Sequence, residues 1–178
     1  MASTTTRLMS FEEFEHLPES PWMRQELHHG ELIEVPPPKH RHTAIELRLR
    51  ELMEGAGRGS GKFATEIGFR PTTGPEYLIA DVVFIAQKHW GSVPGDGYIV
   101  GAPEIVVEVL SPSNTAPKMR ARRKICLENG SAEFWVVDAM KRQVEVSTAD
   151  GMILYKSGEQ IPLRFAPEKT IAVDAIFE

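Results

Sequence analysis

The sequence predicts an α+β (mixed α/β) fold, a mixed β-sheet flanked by helices, and three observations carry that prediction. Two strongly apolar, β-branched runs, Tyr77–Ile85 and Glu104–Leu110, are short enough to be buried strands. Ile45, Leu49, Leu52, Met53 and Ala56 recur at helical spacing on one face of residues 42–54. The order along the chain is helices, a run of strands, one crossover helix and more strands, which is the order of an α+β or mixed α/β domain. The 178 residues suit one domain over 1–178 with a substantial core, and residues 1–9, mostly polar, are expected to be disordered.

The elements follow from local chemistry. Ser10-Phe-Glu-Glu13 reads as a capping box, opening a short helix that Pro18 stops near Leu17. Two short runs flank His29-Gly30, which predicts a hairpin over residues 24–35 ended by Pro36-Pro-Pro38. Beyond the helix at 42–54, with Glu46, Arg48, Arg50 and Glu51 off its apolar face, lies Gly55-Ala-Gly-Arg-Gly-Ser-Gly-Lys62. It has the look of a phosphate loop, but Ala56 stands where the pattern needs Gly, Phe63 where it needs Ser or Thr, and a helix precedes it instead of a strand. It reads as a helix terminator. Strands are expected at Phe63–Arg70 and Tyr77–Ile85, a loop at Gln87–Pro103, and a strand at Glu104–Leu110. Ser111–Pro117 then turns into a basic helix that runs to Asn129 and ends at Gly130. A strand at Glu133–Asp138 and a hairpin of Gln143–Thr148 with Met152–Lys156 complete the reading.

Composition narrows the function. Net charge is −5, so any polyanion site must be a local basic patch. The single cysteine, Cys126, excludes an internal disulfide framework and a cysteine-based zinc site; flanked by Ile125 and Leu127, it reads as core. No run approaches a membrane span and the first residues hold no apolar signal core, so a cytoplasmic protein without a membrane partner is expected. No Gly-x-Ser-x-Gly elbow is present, and Ser111 has no evident histidine partner.

The chemistry points to two acids. Asp81 lies inside Tyr77–Ile85 and Glu108 inside Glu104–Leu110, 27 residues apart. Removing a carboxylate from water costs several kcal/mol unless a cation compensates, and two such acids in neighbouring strands suggest one shared divalent metal. The bland alternative is a salt bridge for each. The following helix opens Lys118-Met-Arg-Ala-Arg-Arg-Lys124, with Lys118 and Arg122 one turn apart on one face that could meet a metal-held phosphate. A solvated basic face is the ordinary fate of such a run. His28, His29, His40 and His42 lack ligand spacing, since no His-x₃-His pair shares a helix turn, and structural or solvent roles are expected for them. Glu66, in the strand Phe63–Arg70, is a candidate third acid, although an edge or solvent-facing charge is the first expectation, and Asp138 is expected to start a turn.

With these residues in view, the sequence resembles the Uma-two family of restriction-endonuclease-like proteins, in the PD-(D/E)XK nuclease superfamily. The resemblance rests on Glu26-Leu-x-x-Gly-Glu-Leu32, His42, Ala80-Asp-Val-Val-Phe84, the run Ala102-Pro-x-Ile-Val-Val-Glu-Val-Leu-Ser-Pro-Ser113, and Gly130-x-x-Glu-Phe-Trp-Val-Val-Asp138. It implies a restriction-endonuclease-like core and a Mg²⁺ or Mn²⁺ cofactor held by Asp81 and Glu108, with the Val109 carbonyl as a third ligand. It further implies hydrolysis of a DNA phosphodiester by a metal-activated water. Three positions depart from the family: Ala80 replaces a usual Pro, Cys126 a Tyr, and Arg122 stands where the family Lys falls, fourteen residues after Glu108, with Leu110 at the superfamily's Lys position. Arg keeps the charge but is a far poorer proton donor.

The leading expectation is therefore a metal-dependent DNA endonuclease with Asp81, Glu108 and Arg122 as catalytic residues and Lys118 as a phosphate contact. The alternative is a catalytically degenerate nuclease fold that binds nucleic acid or protein. Whether the protein forms a homodimer stays open at this stage. A purely structural domain would show both acids paired with basic side chains and no cleft.

Overall fold

The computed structural model describes residues 7–178 apart from residues 19, 21, 112 and 113. The expected start of the turn after Glu108 thus lies partly outside the described residues, as does most of the expected disordered N-terminus. Met9 is ordered: its N–H donates to the Gly30 carbonyl at 2.7 Å.

Helix α1, Phe11–Glu15, has the predicted capping box, with Glu13 N–H to the Ser10 hydroxyl and Ser10 N–H to the Glu13 carboxylate, but it stops two residues short of Leu17. Strands β1 (Arg24–His28) and β2 (Glu31–Val35) form the predicted hairpin. Its two turn residues, His29 and Gly30, both have positive φ, 51° and 83°, as the tight turn that matches strand twist demands. The Leu27 and Tyr77 backbones exchange bonds of 2.8 and 2.9 Å, so the hairpin is hooked to the residue before β4.

Helix α2 (His40–Ala56) leads to β3 (Gly61–Arg70), β4 (Leu78–Ala86), α3 (Gln87–Ser92), β5 (Ile99–Val100) and β6 (Ile105–Val109). Then come α4 (Ala116–Glu128), β7 (Glu133–Asp138), β8 (Gln143–Thr148) and β9 (Gly151–Lys156). The Gly-rich segment after α2 is a turn, as expected, with Gly59 at φ 86°. The stretch read as a loop from Gln87 to Pro103 instead contains α3 and β5. A second hairpin, β10 (Gln160–Leu163) with β11 (Ala166–Ala172), and a 3₁₀ turn at Asp174–Phe177 were not foreseen.

Seven strands form one mixed sheet in the order β5-β3-β4-β6-β7-β8-β9. The parallel pairs are β3 with β5 and β6 with β7, the latter joined by crossover helix α4; the other neighbours are antiparallel. One core layer packs Ile45, Leu49 and Met53 of α2 and Ile161 and Ile171 of the second hairpin against Val82, Phe84, Val107 and Trp135. The other packs Cys126 of α4 against Val83, Val106 and Phe134.

Two irregularities position the site. First, pairing of β4 with β6 runs from Phe84↔Ile105 to Val82↔Val107 and goes no further, so the strands part where Asp81 and Glu108 begin. Second, the in-and-out alternation slips beside that fork. Leu78, Ala80, Val83 and Ile85 share one layer while Val82 and Phe84 belong to the other; on β3, Ala64 and Ile67 likewise share a layer. Between the last two sits Glu66, at φ 58° a left-handed residue inside a strand. Such a conformation is unfavourable for a residue with a Cβ by roughly 1–2 kcal/mol.

Candidate active site

At the fork the backbone loses ladder partners, and side chains replace them. The Val109 N–H, which a longer β4–β6 ladder would have used, donates to Asp81 Oδ2 at 2.7 Å. Asp81 and Glu108 are 6% and 5% exposed, and both face a cavity of about 260 Å³ between the first hairpin, α2 and α4. Glu26, His28, His42, Lys118 and Arg122 also line it. The two acids that the sequence singled out are thus brought together, from neighbouring strands, at one opening. Val109 is beside them at the end of β6, with its N–H already committed to Asp81.

Arg122 reaches the acids. α4 begins at an N-cap, Thr115, with Pro117 in its first turn, and its register turns Arg122 inward while Lys118, one turn earlier, stays exposed at the rim. Arg122 Nε donates to Glu108 Oε1 at 2.8 Å, and its terminal nitrogens donate to Glu26 at 3.0–3.1 Å and to the Ile79 carbonyl. Glu26 Oε1 also accepts from the Ile79 N–H at 2.7 Å, and Glu26 Oε2 lies 2.8 Å from His28 Nε2. Hence one buried guanidinium serves two buried carboxylates. Burial would raise Glu26, but Arg122 outweighs it, and the carboxyl is held at about 2. Burial pushes Glu108 the other way, up to about 8, against the pull of Arg122 and with the help of the Asp81 and Glu26 charges. Of the two carboxyls that share Arg122, Glu26 therefore carries the charge and Glu108 is the one that more readily keeps a proton.

A second cluster lies on the α2 side. His42 Nε2 is 3.2 Å from Asp81 Oδ2 and 3.0 Å from Glu46 Oε1. Burial alone would lower the imidazole pKa; Asp81 and Glu46 reverse this and push it to about 10. These are ion-pair distances without hydrogen-bond alignment. His42 Nε2, Glu46 Oε1 and Glu66 Oε1 are all buried atoms with no hydrogen-bond partner. Glu66 pairs with Arg24, and its pKa is raised by burial and by Glu46 beside it.

Sequence reasoning missed much of this. Glu46, placed on the polar side of α2, is 1% exposed. Glu66, expected first at an edge or in solvent, is half-buried beside Arg24 and Glu46. His42, assigned a structural or solvent role, faces Asp81. The His42-x₃-Glu46 spacing was the available signal, since it stacks both side chains on one helix face. Other expectations held: Cys126 is buried core, and Asp138 starts a turn by accepting from Met140 and Lys141 N–H groups. His29 pairs with Glu76 at the hairpin turn.

Comparisons with known proteins give the family and the fold. The family model described as "Uma2: Putative restriction endonuclease" matches residues 11–174. Among solved structures, the chain is similar to the "putative nuclease belonging to DUF820" from Anabaena variabilis ATCC 29413, with a TM-score of 0.81 at 21% identity, over 95% of this chain and 97% of that one. That likeness shows the fold. No curated protein matches the sequence. Among the described residues, no helix is long and apolar enough to cross a membrane.

Proposed function

The chain belongs to the Uma2 family of putative restriction endonucleases, and on that premise we propose that it is a metal-dependent endonuclease hydrolysing DNA phosphodiester bonds. The observation that carries the reading is the fork: two buried acids on diverging strands, facing one cavity whose rim holds an exposed lysine. The donor set fits a hard dication. Asp81 Oδ1 and Glu108 Oε2 take part in no hydrogen bond among the described residues, so each acid keeps an oxygen for a metal. Asp81 and Glu108 would hold Mg²⁺ or Mn²⁺, with the Val109 carbonyl as a further oxygen, and the ion would supply an acidified water and charge neutralisation at the phosphate.

The chain's own residues would do the rest. Lys118, exposed on the cavity rim, can reach a phosphate and offset the charge that grows on it. Arg122 acts as a positioning residue: its nitrogens hold Glu108 and Glu26 in place. The Glu26–Arg122 pair packs the first hairpin against α4 and so shapes the wall of the cavity.

The second reading, a degenerate nuclease fold that binds nucleic acid or protein without cutting, draws on the same arginine. A guanidinium whose Nε and both terminal nitrogens are engaged neither moves a proton nor turns to a substrate. A plasmid-nicking assay separates the two. The endonuclease reading expects nicking that needs added Mg²⁺ or Mn²⁺, falls on the order of 10²–10³-fold in Asp81→Asn, and weakens in Lys118→Ala. Nicking unaffected by Asp81→Asn would overturn the site. A silent wild type, with cleavage appearing in Arg122→Lys, would establish the degenerate reading.

A further inference from the structure

The two ends of the seven-stranded sheet are unlike. At one end β5 is two residues long and β3 behind it is kinked at Glu66, and the separate β10–β11 hairpin carries Pro162 and Pro167, so a further strand would extend these edges poorly. β9 closes the other end with six residues, Gly151-Met-Ile-Leu-Tyr-Lys156, without a proline, a bulge or a charge before its last residue. Met152, Ile153 and Leu154 are 56%, 58% and 40% exposed. Their side chains emerge on both faces. Met152 and Leu154 lie on the α4 side, where Arg123 reaches the Met152 sulfur at 3.8 Å; Ile153 and Tyr155 share the face of Val144 and Val146, toward the second hairpin. Natural sheets blunt such an edge unless another strand covers it.

The backbone of β9 fixes how a further strand can pair. The Ala149-Asp150 turn closes on Thr148 and Gly151, so Gly151, Ile153 and Tyr155 direct their N–H and C=O groups to β8, while those of Met152, Leu154 and Lys156 point away from the sheet. Glu159 already occupies Lys156: the Lys156 N–H donates to the Glu159 carboxylate at 2.5 Å, and the Lys156 carbonyl accepts from the Glu159 N–H at 3.0 Å. The N–H and C=O of Met152 and of Leu154 remain, and no described residue bonds them. A second copy turned about an axis perpendicular to the sheet presents the same groups in reverse order. Opposed residues then point to the same face, which restricts the register to one centred on Met152, Ile153 or Leu154. Centred on Met152, the pairing sets Leu154 against the turn residue Asp150; centred on Leu154, it sets Met152 against the occupied Lys156. Centred on Ile153, it sets Met152 opposite the partner's Leu154 and Leu154 opposite the partner's Met152, and every remaining edge group is bonded.

We propose that β9 is a self-pairing edge: two copies of the chain join antiparallel through β9, about an axis at Ile153, so that their two sheets continue as one. The inference goes beyond the nuclease reading and uses none of its residues. Charge selects the same register as the hydrogen bonds. With Ile153 on the axis, Asp150 stands across from the partner's Lys156 and Lys156 across from the partner's Asp150, a pair of opposite charges made twice. Apolar contact follows as well, with Met152 against the partner's Leu154 on the α4 face and Ile153 against its own copy on the other. An edge complementary to itself in hydrogen bonds, charge and apolar surface at one register fits a second copy better than an unrelated strand.

The test is sedimentation velocity of the full chain over a concentration series, with circular dichroism confirming that each variant is folded. Wild type should sediment as a dimer. Leu154→Pro removes an outward N–H that β8 does not use, so the monomer should keep its fold and lose self-association. Ile153→Lys, at an exposed position, sets like charges against each other on the axis and should also give a monomer. Asp150→Lys and Lys156→Asp should each weaken the dimer ~2–30-fold, and the double exchange should restore it, because the pairs re-form with their signs reversed. In the wild-type dimer the Met152 and Leu154 amides should resist hydrogen exchange; in Ile153→Lys they should exchange freely while the Tyr155 amide, bonded to β8, stays protected. A wild type that is monomeric at every concentration would leave the edge to a strand of another protein and overturn the proposal. A dimer that survives both Leu154→Pro and Ile153→Lys would lie on another surface and overturn it equally. Failure of the double exchange to restore association would overturn the register centred on Ile153, and the proposal with it.

Discussion

Two charged clusters meet at Asp81, and they are built in opposite ways. On the α4 side, Arg122 is matched atom for atom: Nε to Glu108, the terminal nitrogens to Glu26 and to the Ile79 carbonyl, with the Ile79 N–H returning to Glu26. On the α2 side, His42, Glu46 and Glu66 each bury an atom that makes no hydrogen bond and is held by ion pairs alone or by none. The first cluster is finished as protein and ties the first hairpin, the sheet and α4 together. The second is unfinished, and the left-handed Glu66 beside it holds local strain at the same spot. A fold that completes one cluster and leaves its neighbour open separates the scaffold from the working part of the site.

The largest expected effect tests the finished side. Arg122→Ala leaves Glu26 and Glu108 buried without their shared cation and should lower stability by about 3–5 kcal/mol in denaturant unfolding. A loss under about 1 kcal/mol would show that the cluster is not a tie between elements.

Next in size is the pH response without metal, measured as Tm against pH in chelator. Glu26 lies below its ordinary 4.5, at about 2, so its contribution is complete above 4.5 and fades as pH falls toward 2. Glu108 lies above 4.5, at about 8, so stability declines as pH rises from 4.5 through 8. The His42 contribution is complete below 6.5 and is lost as pH rises through about 10. The protein should therefore be most stable near pH 5 and weaken steadily in alkali, and Mn²⁺ should flatten the alkaline limb by taking the place of the protons. An alkaline limb indifferent to Mn²⁺ would mean that these groups hold no ion.

Smallest is the change expected on the unfinished side. Glu46→Gln removes one of two adjacent buried acids but also the ion pair to His42. The variant should unfold within about 1 kcal/mol of wild type in chelator. A large loss would mean that the cluster is as finished as its neighbour.

The same contrast explains what the sequence reveals. Asp81 and Glu108 stand out because a lone acid in a β-branched strand has no cheap structural excuse, and Arg122 follows from helix register together with the family landmarks. Glu26 is hidden in a polar hairpin, its partner 96 residues away, so no local pattern points to it. Glu46 sits among other charged residues of α2, where a stripe of apolar positions does not reveal which polar neighbour turns inward. Glu66 depends on a positive φ that no side chain at that position advertises. The β10–β11 hairpin is silent for a different reason: it contains Pro162 and Pro167, and its outward positions are polar, so its strand pattern is weak.

The most direct test of the central claim, that the fork between β4 and β6 is a metal site centred on Asp81, is anomalous diffraction at the manganese edge from crystals soaked in Mn²⁺. The account predicts a peak with Asp81 oxygen at about 2.0–2.6 Å, flanked by Glu108. Peaks confined to surface carboxylates, with Val109 N–H and His42 still the sole neighbours of Asp81, would contradict it.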